Sequence, residues 1–95
     1  MGKKKSALVD DEEYCMVCGA PYPERHHVFF GTARRKISDR YRYFVPLCAE
    51  HHRGRTGAHQ NRDFDIYLKK LAQKHFEANY GDRSAFIKVF GKSYL

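Results

Sequence analysis

Three cysteines and one histidine occur as two pairs with the spacing of metal ligands. Cys15 and Cys18 form a Cys-x-x-Cys pair, and Cys48 and His51 form a Cys-x-x-His pair much later in the chain. Structural zinc sites are closed tetrahedra of Cys or His ligands, and each pair can present two ligands from one tight turn. These four residues predict a structural Zn²⁺ that connects the two ends of a β-hairpin. Such a protein should unfold when a chelator removes the metal.

Two other interpretations of the thiols stay open. A redox-active pair of Cys15 and Cys18 would require a thioredoxin-like βαβ context, which this sequence lacks, and the thiols could instead simply be buried. The three cysteines cannot all form disulfides with one another. The matched spacing of the two pairs favours the zinc site over both alternatives.

All but one of the six histidines lie near these cysteines: His26, His27, His51, His52 and His59. Neighbouring residues of a strand point to opposite faces of the sheet, so His26 and His27 should have different roles. Successive residues of a helix are rotated by about 100°, so His52 should face away from a zinc ion bound by His51. We expect His52 to face the strand that carries His26 and His27. The two adjacent pairs therefore suggest two metal centres.

Basic residues are concentrated in the middle of the chain. The net charge is +7, from 18 Lys and Arg against 11 Asp and Glu. Residues 34–62 contain Arg34, Arg35, Lys36, Arg40, Arg42, Arg53, Arg55 and Arg62, with only Asp39 and Glu50 as acids. Such a segment attracts a polyanion, because each neutralised phosphate releases counterions. A solvated surface is the alternative, and the histidines within the segment favour nucleic acid.

Length and hydropathy limit the class of protein. The 95 residues predict one domain, with a core small enough to need a metal or covalent crosslink. No apolar stretch approaches the roughly 20 residues of a membrane helix. Residues 1–6 are basic, but no apolar region follows them, so they do not resemble a signal peptide. We expect a soluble, cytoplasmic protein that does not associate with membranes.

The sequence of the first half of the chain predicts a flexible N-terminal tail followed by a β-hairpin. Residues 1–13 carry basic and then acidic runs and are expected to form a flexible tail. Residues 25–30 are rich in β-formers and predict the first strand, and residues 32–42 predict a polar, basic loop. Residues 41–47 predict the second strand, in which Pro46 favours an edge or an end.

The second half predicts helices. A short helix from Ala49 should be interrupted at Gly54, and the clearest helix should begin at Asp63. Its apolar positions have helical spacing: Phe64, Tyr67, Leu68, Leu71, Ala72 and Phe76, with His75 packing beside them. Asp82 can cap a last helix, and Gly91 can end it.

Four motifs together resemble a known family. They are Cys15-x-x-Cys18, Arg25-His-His-Val28, Val45-Pro-Leu-Cys-Ala-Glu-His-His52, and His59. The set resembles the zinc-stapled HNH endonuclease family, and is similar to small phage-borne members related to phage recombination-associated nucleases. The resemblance implies an α+β fold. In it a small ββα-metal core (HNH or treble-clef-like) would span residues 14–61, and two C-terminal packing helices would occupy residues 62–95.

The resemblance also implies a role for each histidine. His26, His52 and His59 would bind one catalytic divalent metal (Mn²⁺, Ni²⁺, Co²⁺, Zn²⁺ or Mg²⁺), and His27 would be the general base. The protein would be phage-encoded or bacterial and would hydrolyse DNA, or RNA, with low sequence specificity. The backbone contacts would come from Arg34, Arg35, Lys36, Arg40, Arg42, Arg53 and Arg55. The alternative is a non-catalytic zinc-dependent module that binds nucleic acid or assists recombination.

Two positions depart from the family pattern. The helix ligands are usually four residues apart, but that position here is Thr56. An unbroken helix would place His52 and His59 about 10 Å apart along its axis, so His59 can bind the same ion only if the chain turns back. The glycines at 54 and 57 are where it could do so; otherwise water, Asp63 or Asp65 would complete the site.

The second departure is the middle residue of the motif. It is often an Asn that holds the segment carrying the base, and it falls near Tyr43 here. Asn61 is available but lies in the wrong segment. Another residue must therefore hold the segment that carries His27.

Overall fold

The computed structural model describes residues 5–95, apart from the side chain of Thr32. The predicted α+β class is confirmed: within these residues, a two-stranded antiparallel sheet is accompanied by four helices. The strands are β1 (Glu24–His27) and β2 (Phe44–Leu47). The helices are α1 (Thr32–Tyr41), α2 (Ala49–Arg53), α3 (Arg62–Asn79) and α4 (Arg83–Phe90).

The register of the hairpin determines which side chains share a face. Glu24 pairs with Leu47, and His27 pairs with Phe44. Because side chains alternate along a strand, Glu24 and His26 share one face of β1, whereas Arg25 and His27 share the other. His26 is fully buried and His27 is only partly buried, so the two faces of β1 have different surroundings.

Both strands are shorter than the predicted ranges 25–30 and 41–47. The amide of Val28 still donates to the carbonyl of Tyr43 (2.9 Å) before the chains separate. Pro46 lies opposite Arg25. Both strands are edges of the described sheet, so a residue without an N–H is tolerated in β2.

Residues 32–42 do not form the predicted loop, because α1 occupies residues 32–41. The hydroxyl of Ser38 donates to the carbonyl of Phe29 (2.8 Å) and accepts from its amide (2.9 Å), which holds the helix against the end of β1. Arg42 ends the helix in the left-handed conformation. The polarity of the segment suggested a loop, yet Arg, Lys and Ala are good helix formers.

Part of the predicted flexible tail is packed. The hydroxyl of Ser6 donates to the carbonyl of Phe44 (2.6 Å), and the amide of Ala7 donates to the carbonyl of Arg42 (2.8 Å). Ala7, Leu8 and Val9 are partly buried against the core, because this apolar triplet covers surface that the small sheet leaves open. Residues 1–4 of the predicted tail lie outside the described residues.

The two C-terminal helices begin and end at or next to the residues predicted from the sequence. The side chain of Asn61 accepts from the amide of Phe64 (3.2 Å), so α3 begins one residue before the predicted Asp63. Asp82 caps α4 by accepting from the amide of Ala85 (2.9 Å), and Gly91 ends α4 in the left-handed conformation, as predicted.

Aromatic rings form much of the core between the hairpin and the C-terminal helices. The ring centroids of Phe29 and Phe90 lie 4.3 Å apart, and those of Phe86 and Phe90 lie 4.6 Å apart. The buried Gln73 accepts from the amide of Tyr94 (2.7 Å) and so holds the C-terminal segment on α3. Among residues 5–95, no helix combines the length and apolar character needed to cross a membrane.

Candidate metal centres and catalytic cleft

The four predicted zinc ligands come from two turns that the fold brings together. The amide of Gly19 donates to the carbonyl of Cys15 (2.9 Å), and Gly19 adopts a positive φ of 78°, a conformation that glycine adopts without strain. Cys48 is the residue before α2, and His51 lies within that helix. The group therefore connects the segment before β1 with the start of α2.

Two of the three distances within this group match a tetrahedral ion, and the third is about 0.3 Å shorter. The sulfurs of Cys18 and Cys48 are 3.7 Å apart, and Nδ1 of His51 lies 3.2 Å from Cys48 Sγ and 3.7 Å from Cys15 Sγ. Bond lengths of about 2.3 Å for Zn–S and about 2.0 Å for Zn–N place tetrahedral ligand atoms about 3.5–3.8 Å from one another. The four residues can therefore hold a metal ion such as zinc.

The thiols influence one another's ionisation. Burial raises the pKa of Cys15, but backbone hydrogen bonds, first from Cys48, outweigh this effect and lower the pKa to about 6. A backbone hydrogen bond from Ala20 lowers the pKa of Cys18, but desolvation and the neighbouring thiols leave it above its ordinary value. Adjacent thiolates repel one another, and a bound cation would remove that repulsion.

A second group consists of histidines alone. His26 from β1, His52 from α2 and His59 from the turn after α2 place their ligand nitrogens within 4.8 Å of one another. His26 is 1 % exposed, and neither of its ring nitrogens has a hydrogen-bond partner among the described residues. An unpartnered buried polar group costs about 1–3 kcal/mol, so a metal bound to the nitrogen that carries the lone pair would remove part of this cost.

The donor geometry of this group fits a metal. Nε2 of His59 lies 3.2 Å from Nε2 of His52, and two imidazoles on one tetrahedral zinc-like ion would be about 3.3 Å apart. Burial, together with the charges of His52 and His59, lowers the pKa of His26 to about 3. At neutral pH its imidazole is uncharged, which is the form that binds metals.

His59 reaches this group because the chain turns back after α2, which was the condition for His59 to bind the same ion as His52. The amide of Ala58 donates to the carbonyl of His51 (2.9 Å), and that of His59 donates to the carbonyl of His52 (3.3 Å). A Cβ at Gly57 would lie 2.7 Å from the carbonyl oxygen of Glu50. The alternative ligand Asp65 instead pairs with Lys69 (2.5 Å).

Replacing Gly57 by alanine should displace this turn. The added methyl would contact the backbone of α2, at a cost of about 1–3 kcal/mol for overpacking, and would move His59 away from His52. We expect weaker binding of a second metal ion in a titration of the zinc-loaded chain. The exposed Arg55→Ala in the same turn is the control. Unchanged second-site affinity in Gly57→Ala would contradict this account of the turn.

His27 lies on the other face of β1, separate from the three histidines. Its Nε2 is 3.7 Å from Asp39 Oδ1, and its ring centroid is 5.8 Å from that of Phe44. Burial lowers the pKa of His27 below its ordinary value, and the charge of Arg35 lowers it further, while Asp39 acts in the opposite direction. His27 is thus a partly buried, neutral imidazole.

A cleft of about 1190 Å³ is lined by residues from both faces of β1. Its lining includes His26, His27, His52, His59, Arg25, Arg35, Lys36 and Asp39. Sequence reasoning missed Arg25 and Asp39. Alternation along the strand places Arg25 on the face of His27, and a helical reading of residues 32–42 would have placed Asp39 one turn after Arg35.

The predicted nucleic-acid contacts are divided among different environments. Only Arg35 and Lys36 of that set line the cleft. The guanidinium of Arg34 donates to the carbonyl of Phe90, Arg53 pairs with Glu24 (2.6 Å), and Arg42 caps α1. Arg40 and Arg55 are exposed outside the lining of the cleft.

The position expected for the motif Asn is part of the core. Tyr43 is fully buried, and its hydroxyl lies 3.0 Å from Nδ1 of His75, consistent with the packing predicted for His75. Asn61 caps α3. The segment after His27 is held by the hydrogen bonds between Ser38 and Phe29, which the sequence pattern did not indicate.

The two ligand groups meet at α2, where His51 faces the cysteines and its neighbour His52 faces His26 and His59. The predicted division of the adjacent histidines is therefore present in the geometry. Comparisons of the chain with protein-family models, with curated proteins and with solved structures found no match.

Proposed function

We propose that this protein is a metal-dependent endonuclease of the HNH type that hydrolyses phosphodiester bonds in DNA. The observation that carries the proposal is the burial of His26 without a hydrogen-bond partner in the described chain, beside His52 and His59. A divalent cation would bind all three imidazoles at the edge of a basic cleft. The same cleft contains His27, so a metal and a base would act on one substrate.

The charge of the cleft supports a polyanionic substrate. Arg25, Arg35 and Lys36 line it, and the chain carries a net charge of +7. Phosphate contacts of this kind position a nucleic acid without reading its bases. We therefore expect low intrinsic sequence specificity.

The residues divide the chemistry between them. Imidazole donors favour Mn²⁺, Ni²⁺, Co²⁺ or Zn²⁺ over Mg²⁺, which prefers oxygen ligands. When bound, such an ion would supply Lewis-acid stabilisation of the charge on the phosphate and leaving oxygen. His27 would accept a proton from the attacking water, while Arg35 and Lys36 would hold neighbouring phosphates. The Cys15, Cys18, Cys48 and His51 group would hold a structural zinc ion.

A plasmid-nicking assay tests this proposal. Supercoiled DNA and a matched RNA would be incubated with the zinc-loaded chain and each of the five divalent metals. We expect nicking of DNA that depends on the added metal. It should stop with a chelator that removes the metal from the histidine group but is too weak to remove the structural zinc. DNA binding without cleavage under every metal would instead support a non-catalytic nucleic-acid-binding or recombination-accessory module. Cleavage of RNA alone would contradict the proposed substrate.

Removing the cleft charges should weaken DNA binding. Log affinity falls linearly with log salt concentration. In Arg35→Ala/Lys36→Ala, each lost phosphate contact should make this slope less steep by about 0.9. Alanine suits both helical positions, so the fold should be retained. Arg40→Ala/Arg55→Ala is the control with equal charge loss outside the cleft. Equal weakening by both pairs, measured by fluorescence anisotropy, would show that binding is not centred on the cleft.

A further inference from the structure

We propose that Glu24 is a positioning residue, which sets the orientation and tautomer of His52 so that its Nε2 can bind the metal. This inference rests on the metal centre of the proposed function. It assigns a role to a carboxylate that is neither a metal ligand nor part of the cleft lining.

The strand and α2 bring the two side chains together. Glu24 lies two residues before His26, so both side chains are on the same face of β1, and that face meets α2. Oε1 of Glu24 is 2.7 Å from Nδ1 of His52. An ionised carboxylate can only accept hydrogen bonds, so Nδ1 must carry the proton.

The tautomer has a direct consequence for metal binding. A neutral imidazole with a proton on Nδ1 has its lone pair on Nε2. Nε2 is the atom of His52 that lies 3.2 Å from Nε2 of His59. The hydrogen bond from Nδ1 to Glu24 therefore directs the lone pair of His52 into the histidine group.

The carboxylate is itself held in place. Arg53 donates from Nε to Oε1 (3.0 Å) and from Nη2 to Oε2 (2.6 Å) of Glu24. Arg53 follows His52 in α2, so consecutive residues of the helix contact one carboxylate. The pair is solvent-exposed, with side chains 64 % and 38 % exposed for Arg53 and Glu24. Exposed ion pairs contribute little to folding, so substitutions at Glu24 should leave the domain folded.

Carboxylates that accept a hydrogen bond from a metal-bound histidine have a measurable effect on metal affinity. They fix the ring and raise its basicity, and their loss typically weakens metal binding about 10–100-fold. Arg53→Ala keeps the carboxylate that contacts His52, so it should weaken metal binding less than Glu24→Ala. If Glu24 acted only through its ion pair with Arg53, the two substitutions would have the same effect. The two substitutions separate positioning from surface pairing.

The first experiment measures metal affinity without using cleavage. Co²⁺ would be titrated into the zinc-loaded full chain and followed by its visible absorption. We expect Glu24→Ala to bind the second ion about 10–100-fold more weakly, and Glu24→Gln, which keeps an acceptor oxygen, to be intermediate. Glu12→Ala, which removes a carboxylate paired with Arg25, is the control. Affinity of Glu24→Ala within twofold of wild type, or equal losses in Arg53→Ala, would overturn the proposal.

A second measurement uses the metal-free histidine site. In ¹⁵N-labelled wild-type chain, long-range ¹H–¹⁵N spectra should show His52 protonated on Nδ1, and in Glu24→Ala a shift towards the Nε2–H form. A wild-type His52 protonated on Nε2 would overturn the proposal without any substitution. Failure to nick DNA while Co²⁺ binds in a Glu24-dependent manner would overturn only the nuclease function. Absence of a second Co²⁺ site in wild type would overturn both.

Discussion

Replacing Cys48 by serine should leave the chain unfolded at neutral pH, even with zinc present. Cys48 lies between β2 and α2, as the last residue before the helix, and its sulfur lies close to both Cys18 and His51. Structural zinc contributes an apparent binding free energy of about 10–16 kcal/mol in small zinc domains. The whole stability of a domain is about 5–15 kcal/mol, so the loss of one ligand should remove most of it.

Circular dichroism and thermal melting with and without EDTA measure this effect. Val17→Ser introduces the same residue at an exposed position between Cys15 and Cys18 and should melt like the wild type. We expect the wild type with EDTA to behave like Cys48→Ser with zinc. A cooperative, wild-type melting transition in Cys48→Ser would show that these four residues do not hold a structural metal.

Replacing His27 by alanine should lower the rate of DNA nicking about 10²–10⁴-fold, the usual contribution of a general base. The fold and both metal ions should be retained, because the ring of His27 lies on the face of β1 opposite His26 and outside the metal-binding group. Its neighbours in the cleft are Arg35 and Asp39. The measurement is the single-turnover nicking rate at saturating metal, with metal content determined in parallel.

Two controls separate the proposed base from the proposed metal ligands. His26→Ala should also lower the nicking rate, but through the loss of the second metal ion. His75→Ala removes an imidazole that lies against Tyr43, away from the cleft, and should keep its activity at temperatures where it is folded. Full activity in His27→Ala, or loss of its second metal ion, would contradict the assignment of His27 as the base.

The two predictions are connected through α2. His51 faces the cysteines and His52 faces the other histidines, as the rotation of about 100° between helical neighbours requires. A zinc ion bound to His51 would therefore also fix the direction of His52. Loss of the zinc should remove the second metal site as well, whereas loss of the second metal should leave the zinc site intact.

The sequence by itself determined the features that depend on short separations. The spacing of the cysteine pairs, the alternation at His26 and His27, and the rotation between His51 and His52 follow from local backbone geometry. The cap at Asp82 and the end at Gly91 are also local. The α+β class and the Cys15, Cys18, Cys48 and His51 group could therefore be predicted before the structure.

Only the tertiary structure decided the features that depend on distant contacts. Residues 32–42 were predicted as a loop, but residues 32–41 form α1. Their Arg, Lys and Ala favour a helix locally, whereas the place of that helix is set by Ser38 against Phe29, a contact that local polarity does not reveal. His59 reaches His52 because the backbone after α2 packs closely at Gly57. The contact of Glu24 with His52 joins residues 28 positions apart. Spacing shows which ligands are available, but the packing of β1 against α2 decides which atoms meet.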